Sequence, residues 1–267
     1  MKKTLIAILA LGSFAMSGIA SAALQELASM SDLLEGATLG TGVTNTSDLY
    51  SNDVTVLNFA ADNNAVFGIT NSTVADIINA KTGYLTIAAW INPTATNGDN
   101  AIFSYGPQRS GIKVGIKDGR VQETAKWVGD HTMDGEQGRT NADPVTANGG
   151  WQFVAFSIAL NGSSTSRMLM SDDASRYWSN QAWQTANDVP AADQLFGIGS
   201  AWGTAKADKY LGDIANLTLY YSTSAATAKD LQDAGITNLK PIALPEPATA
   251  TLSLLALAGL AARRRRH

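Results

Sequence analysis

From Val54 onward, short apolar runs recur every 8–20 residues, divided by Gly, Asn and Asp. Val54-Thr55-Val56-Leu57-Asn58-Phe59 alternates with a period close to two, which predicts a half-buried strand. A polar turn follows at Ala61-Asp62-Asn63-Asn64, then a second apolar run at Ala65–Ile69. The clearest strand is Tyr84–Ile91 (YLTIAAWI), stopped by Asn92-Pro93. Further strands are predicted at 101–105, 111–117, 119–124, 151–160, 166–171, 194–199 and 210–221. Two stretches depart from this pattern. Residues 72–80 suit a helical turn, and Ser222–Ala234 places Ala225, Ala228 and Leu231 on one helical face. Thr223 or Ser224 could cap that helix and Gly235 end it. Residues 23–53 are left unplaced. Leu24, Leu27, Leu33 and Leu34 suit a short helix, and the Gly- and Thr-rich 36–47 suits a loop or short strand. Many short strands parted by turn residues predict an all-β antiparallel sandwich or jelly roll.

Five pieces, in order, carry a family resemblance. They are Leu57-Asn58-Phe59 with its Asp62-Asn63-Asn64 turn, Leu85–Pro93, Ala101-Ile102-Phe103-Ser104, Gly150–Phe156, and Tyr210–Ile214 leading into Leu217–Tyr220. Together they resemble a laminin G-like, concanavalin A-like jelly roll over residues 54–240. The resemblance implies two antiparallel sheets packed face to face, with a short helix after the last strand. Leu85, Ile87, Ala89 and Ile91 would then point to one face, and Thr86 and Trp90 to the other.

Both ends read as addresses. Met1-Lys2-Lys3, an apolar run from Leu5 to Ala20 and the small residues Ala20-Ser21-Ala22 form a secretory leader over 1–22, with cleavage by signal peptidase expected before Ala23. At the other end, Pro245-Glu246-Pro247 precedes an apolar segment, Ala248–Ala262, and the cluster Arg263, Arg264, Arg265 and Arg266. Residues 244–267 resemble the PEP-CTERM sorting tail of exported bacterial proteins. The resemblance implies an exosortase-type membrane protease as a partner, transient insertion of the C-terminal transmembrane helix and removal of the tail. The arginines would hold its end in the cytoplasm. The expected destination is the cell surface or the extracellular matrix.

Composition narrows the partners. Setting aside two leader lysines and four tail arginines leaves 13 of the 19 basic residues against 23 acidic ones, a net charge of −10. That argues against nucleic acid and anionic membranes as partners of the body. No cysteine is present, so disulfides, thiolate metal sites and cysteine nucleophiles are excluded.

Enzyme signatures are missing. His131 is the one histidine before the tail and has no Gly-x-Ser-x-Gly elbow or second histidine beside it. Glu26, Glu35, Glu123, Glu136 and Glu246 form no glycanase pattern, which leaves a divergent glycoside hydrolase as the weakest reading. Calcium is the stronger chemistry. The laminin G-like resemblance implies a rim site in which Asp62 and Asn64 of the first turn and Asp213 of the last strand supply oxygen ligands. The plainer alternative is a turn and a strand-edge carboxylate. Trp127, Tyr177, Trp178, Trp183 and Trp202 sit in polar, loop-like surroundings where exposed rings could stack on sugars, or could equally pack inside. Trp90 and Trp151, in apolar strands, are expected in the core. The sequence thus predicts an exported module binding glycan or protein, with a structural matrix protein as the alternative.

Overall fold

The computed structural model describes residues 23–35, 37, 39–60, 66–69, 71–106, 111–125, 145–160, 165–170, 177–182, 195–200 and 208–244, with backbone alone at 66–69, 122–125, 165–170 and 177–182. Its strands are β1 (Gln25–Ser29), β2 (Val43–Asn45), β3 (Val56–Phe59), β4 (Val66–Ile69), β5 (Tyr84–Pro93), β6 (Asp99–Tyr105) and β7 (Ile112–Lys117). They continue with β8 (Arg120–Ala125), β9 (Gln152–Ala159), β10 (Thr165–Met170), β11 (Tyr177–Ala182), β12 (Phe196–Ile198) and β13 (Gly212–Ser222). Three short helices join them: α1 (Met30–Leu34), α2 (Ser72–Ala80) and α3 (Ala228–Asp233). The large sheet runs β11-β10-β9-β5-β13-β3-β2, with β1 also on β13, and the small one runs β4-β12-β6-β7-β8. Every pairing is antiparallel. The two-sheet jelly-roll sandwich expected from the sequence is therefore the fold.

Alternation along β5 builds two cores. Leu85, Ile87, Ala89 and Ile91 join Phe103, Val114, Phe156, Phe196 and Leu219 between the sheets. Ala88 and Trp90 face the other way, with Val56, Phe153, Ala215, Leu231 and Ile236, in a second core under α3. Buried on both faces, β5 reads as a nearly unbroken apolar run.

Close packing fixes particular glycines. Gly199 has φ +74°, and a Cβ there would lie 2.1 Å from the Phe59 ring. Gly212 has φ +118°, and its Cβ would meet the Asn92 carbonyl at 2.3 Å, so only glycine lets β13 approach the end of β5 here.

Three expectations change. The unplaced N-terminal stretch supplies β1 and β2 to the large sheet. Ser29 caps α1 in a reciprocal box with Asp32, so the helix covers only five residues of the span read as helical. The C-terminal helix is shorter than Ser222–Ala234 because Ser222 still pairs with Tyr84 in the sheet. The cap is Thr227, in a reciprocal box with Asp230, rather than Thr223 or Ser224. Gly235 follows it in the left-handed region. Finally, Tyr177 and Trp178 lie on strand β11, paired with Leu169 and Met168, and not on a loop. Their polar neighbours suit an outer strand of the sheet, where one edge is unpaired among the described residues.

β13 carries the main irregularity. Gly212–Ala215 pair with β3, whereas Thr218–Tyr221 pair with β1 on the same edge. Asn216, at φ +49°, stands where the partner changes. Its N–H donates to the Thr55 carbonyl (2.9 Å), its Oδ1 accepts from the Thr55 N–H (3.0 Å) and its Nδ2 donates to the Leu239 carbonyl (2.8 Å). This is a bulge held by its own side chain.

Candidate functional site

Three strands of the large sheet place a polar row at one end of its outer face. Asp213 on β13 pairs directly with Asn58 on β3 and with Asn92 on β5. All three side chains share the face of Val56, Ala215 and Trp90, one strand repeat away. Asn58 Nδ2 donates to Asp213 Oδ1 at 2.7 Å, and Asn92 Nδ2 donates to Oδ2 at 3.2 Å. Both amides thus turn their N–H groups to the carboxylate and orient it. A carboxylate offers about four acceptor positions, so each oxygen keeps one for another donor. The three residues are partly exposed, and the row is open to solvent.

Aromatic rings flank this row. Continuing the Ile91–Gln152 register by one position brings Trp151 beside Asn92. Tyr50 meets Trp151 edge to face, with centroids 5.8 Å apart and planes at 73°. Both rings are half-buried against the second core. Burial raises the Tyr50 phenol pKa, the Asp213 charge raises it further, and a hydrogen bond with the Trp151 side chain lowers it. Tyr50 is therefore a neutral phenol close to Asp213. Below the row, Tyr210 is buried and donates to the Asp213 carbonyl at 3.1 Å. Its pKa is raised well above the usual value, by burial first and by Asp213 second. It braces the backbone beneath the carboxylate.

Trp151, expected in the core, is a rim residue: it precedes β9 and is only partly buried against the second core. Trp90 is fully buried as expected. Of the proposed calcium ligands, Asp213 is in this row, whereas Asp62 and Asn64 lie outside the described residues. Among the described residues no group of three or more His, Cys, Asp or Glu could hold a metal ion. Asn58 and Asn92 turn their Nδ2 groups to Asp213; a cation there would take their Oδ1 oxygens instead. Trp127, Trp183 and Trp202 also lie outside the described residues, as do His131, Pro245, Glu246, Pro247 and Arg263–Arg266. Tyr177 and Trp178 are described by their backbone alone. Sequence reading missed Tyr50, Trp151, Asn58 and Asn92 as site residues. The one available signal was that Asn58, Asn92 and Asp213 are polar residues at strand ends between apolar ones.

No family model matches the chain, and no curated protein matches it. Solved structures do. A receptor-binding domain superposes with a TM-score of 0.52 at 12% identity, over 82% of this chain and 50% of that one. The binding domain of botulinum neurotoxin DC, in complex with rat synaptotagmin II, gives 0.50 at 13% identity, over 76% and 46%. A carbohydrate-binding module (CBM40) of a Ruminococcus gnavus sialidase, bound to sialyllactose, gives 0.43 at 15% identity, over 61% and 86%. The chain spans about half the length of the receptor-binding domains it matches. At these identities the likeness is one of fold, and it places the chain among two-sheet β-sandwiches.

Proposed function

We propose that this is an exported binding module whose ligand is a glycan, held on the row formed by Asn58, Asp213 and Asn92 with Tyr50 and Trp151. The observation behind this reading is a solvent-open carboxylate fixed by two amides and flanked by two half-buried rings. Sugars present hydroxyl donors and apolar C–H faces to just such a mixture. Asp213 would accept from a hydroxyl, the amide carbonyls would accept from others, and an aromatic ring would pack on the sugar face. No acid–base pair is needed for that role. The leader at 1–22 and the tail at 244–267 support export and sorting by signal peptidase and an exosortase-type protease. Calcium, through Asp62, Asn64 and Asp213, remains a separate proposal that the same experiment tests.

The experiment is a glycan array probed with purified residues 23–244, with calcium and again with chelator. Saturable binding that falls at least tenfold in both Trp151→Ala and Asp213→Asn supports the row as the site. Loss on chelation would add the calcium ligands. Binding untouched by both substitutions would move the site elsewhere, first to the aromatic residues of β11. No glycan binding at all would favour a protein ligand, as in the synaptotagmin-bound toxin domain, or a structural matrix role.

A further inference from the structure

Residues 49–52 and 240–244, about 190 positions apart, run side by side next to the site. Tyr50 and Ala243 bridge as antiparallel partners. The Leu244 N–H donates to the Leu49 carbonyl at 2.9 Å and the Ser51 N–H to the Ile242 carbonyl at 3.0 Å. Asn52 closes the ribbon, its Nδ2 donating to the Lys240 carbonyl (2.8 Å) and its Oδ1 accepting from the Ile242 N–H (3.2 Å). Tyr50 packs on Trp151. Leu49, which ends a 3-10 turn over Ser47–Leu49, and Ile242 and Leu244 across from it are open to solvent, at 57%, 58% and 47% exposure. These are three of the four large apolar side chains exposed among the described residues, gathered on one short ribbon.

This ribbon is also where the chain leaves the domain. Leu244 is followed by Pro245-Glu246-Pro247 and then by the apolar segment Ala248–Ala262 with its four arginines. Leu244 is tied to Leu49 by its N–H, and four residues reach at most about 14 Å. Pro245 biases the preceding residue, Leu244, toward extended backbone. Whenever the apolar segment is in a bilayer, the ribbon must therefore lie within that distance of the lipid surface, apolar side chains outward.

We propose that the outer face of this ribbon is a membrane-contact surface, with Leu49, Ile242 and Leu244 resting in the lipid interface while the C-terminal segment is inserted. The inference rests on reading Ala248–Ala262 as membrane-inserted. It sets the orientation of the domain: the Tyr50–Asp213 row lies close to the membrane, and the opposite end of β13 points away.

The absence of cysteine makes the test direct. Single variants Leu49→Cys, Leu244→Cys, Thr223→Cys and Ala256→Cys of the full chain are spin-labelled in phosphatidylethanolamine–phosphatidylglycerol vesicles. Accessibility to oxygen and to a water-soluble nickel chelate is then compared. Ala256 reports on the tail, and Thr223, at the far end of β13, reports on water. The expected result is a lipid-like label at Ala256, with oxygen-to-nickel ratios at Leu49 and Leu244 several-fold above that at Thr223. A lipid-like Ala256 with Leu49 and Leu244 as water-accessible as Thr223 overturns the contact surface and leaves the tail reading intact. Labels at Leu49 and Leu244 shielded from both reagents would mean that protein covers the ribbon, which also overturns it. A water-accessible Ala256 removes the tail reading and the inference with it.

Discussion

The indole N–H of Trp90 donates to the backbone carbonyl of Ile236 at 3.1 Å, tying the middle of β5 to the turn that follows α3. The ring also packs edge to face on Phe153, with centroids 5.4 Å apart, and lies under Lys240 Nζ at 5.4 Å. Trp90→Phe removes the donor, leaves the Ile236 carbonyl unpaired and opens a cavity. The expected cost is about 2–4 kcal/mol, read as a lower urea midpoint with an unchanged slope.

Asn216 combines a left-handed backbone with three hydrogen bonds, so its substitutions separate the two contributions. Asn216→Ala keeps neither the side-chain bonds nor easy access to φ +49°, and is expected to cost about 2–4 kcal/mol. Asn216→Gly restores the backbone freedom alone and should lose about 1 kcal/mol less. Equal losses in equilibrium unfolding of the two variants would show that strain plays no part.

Ser157 Oγ links three segments. It accepts from the Thr86 hydroxyl at 3.0 Å and from the Ala226 N–H at 2.9 Å, all within the buried second layer. Ser157→Ala strands both donors, with an expected loss of about 1–3 kcal/mol. Thermal unfolding of Ser157→Ala beside Thr86→Val/Ser157→Ala checks this. The double variant should recover part of the loss through the Thr86 donor, and Ala226 should account for the rest.

Alkaline pH should weaken the fold. The Tyr220 phenol is pushed up to about 12, mainly by burial and then by Glu26. Tyr50 and Tyr210 are raised as well. Below pH 10 folded and unfolded chains hold the same phenol protons, and stability is flat. Between pH 10 and 12 the unfolded phenol ionises while the folded one keeps its proton. For Tyr220 stability then falls by at most about 1.4 kcal/mol per pH unit, less to the extent that solvent screens the phenolate. Urea midpoints across that window should drop, and Tyr220→Phe should drop less steeply.

The elements legible in the sequence are those whose burial is simple. β5 announces itself because Leu85, Ile87, Ala89 and Ile91 fill one core while Ala88 and Trp90 fill the other. β1 is hidden because Gln25 and Glu26 are exposed and its partner, β13, lies almost 190 residues downstream. Asp213 stands out in the sequence through the last strand's pattern, but its partners do not. Asn58 and Asn92 become neighbours of Asp213 only once register is fixed, and a one-residue slip of β13 would turn Asp213 to the inner core, away from both. Tyr50 is equally silent, since its position depends on Ala243 at the far end of the chain.

The last long strand is also the hub. β13 sits between β5 and β3 and carries β1 as well, so Gln25–Ser29, Val56–Phe59 and Tyr84–Pro93 all wait for Gly212–Ser222. A chain emerging N-terminus first, from a ribosome or a translocation channel, cannot close its larger sheet until nearly the whole body is out. Closing it then means bringing together segments far apart in sequence, which makes folding slow. During that interval the apolar faces of β3 and β5 are uncovered and prone to wrong pairing. Strand order thus leaves closure of the larger sheet to one late step.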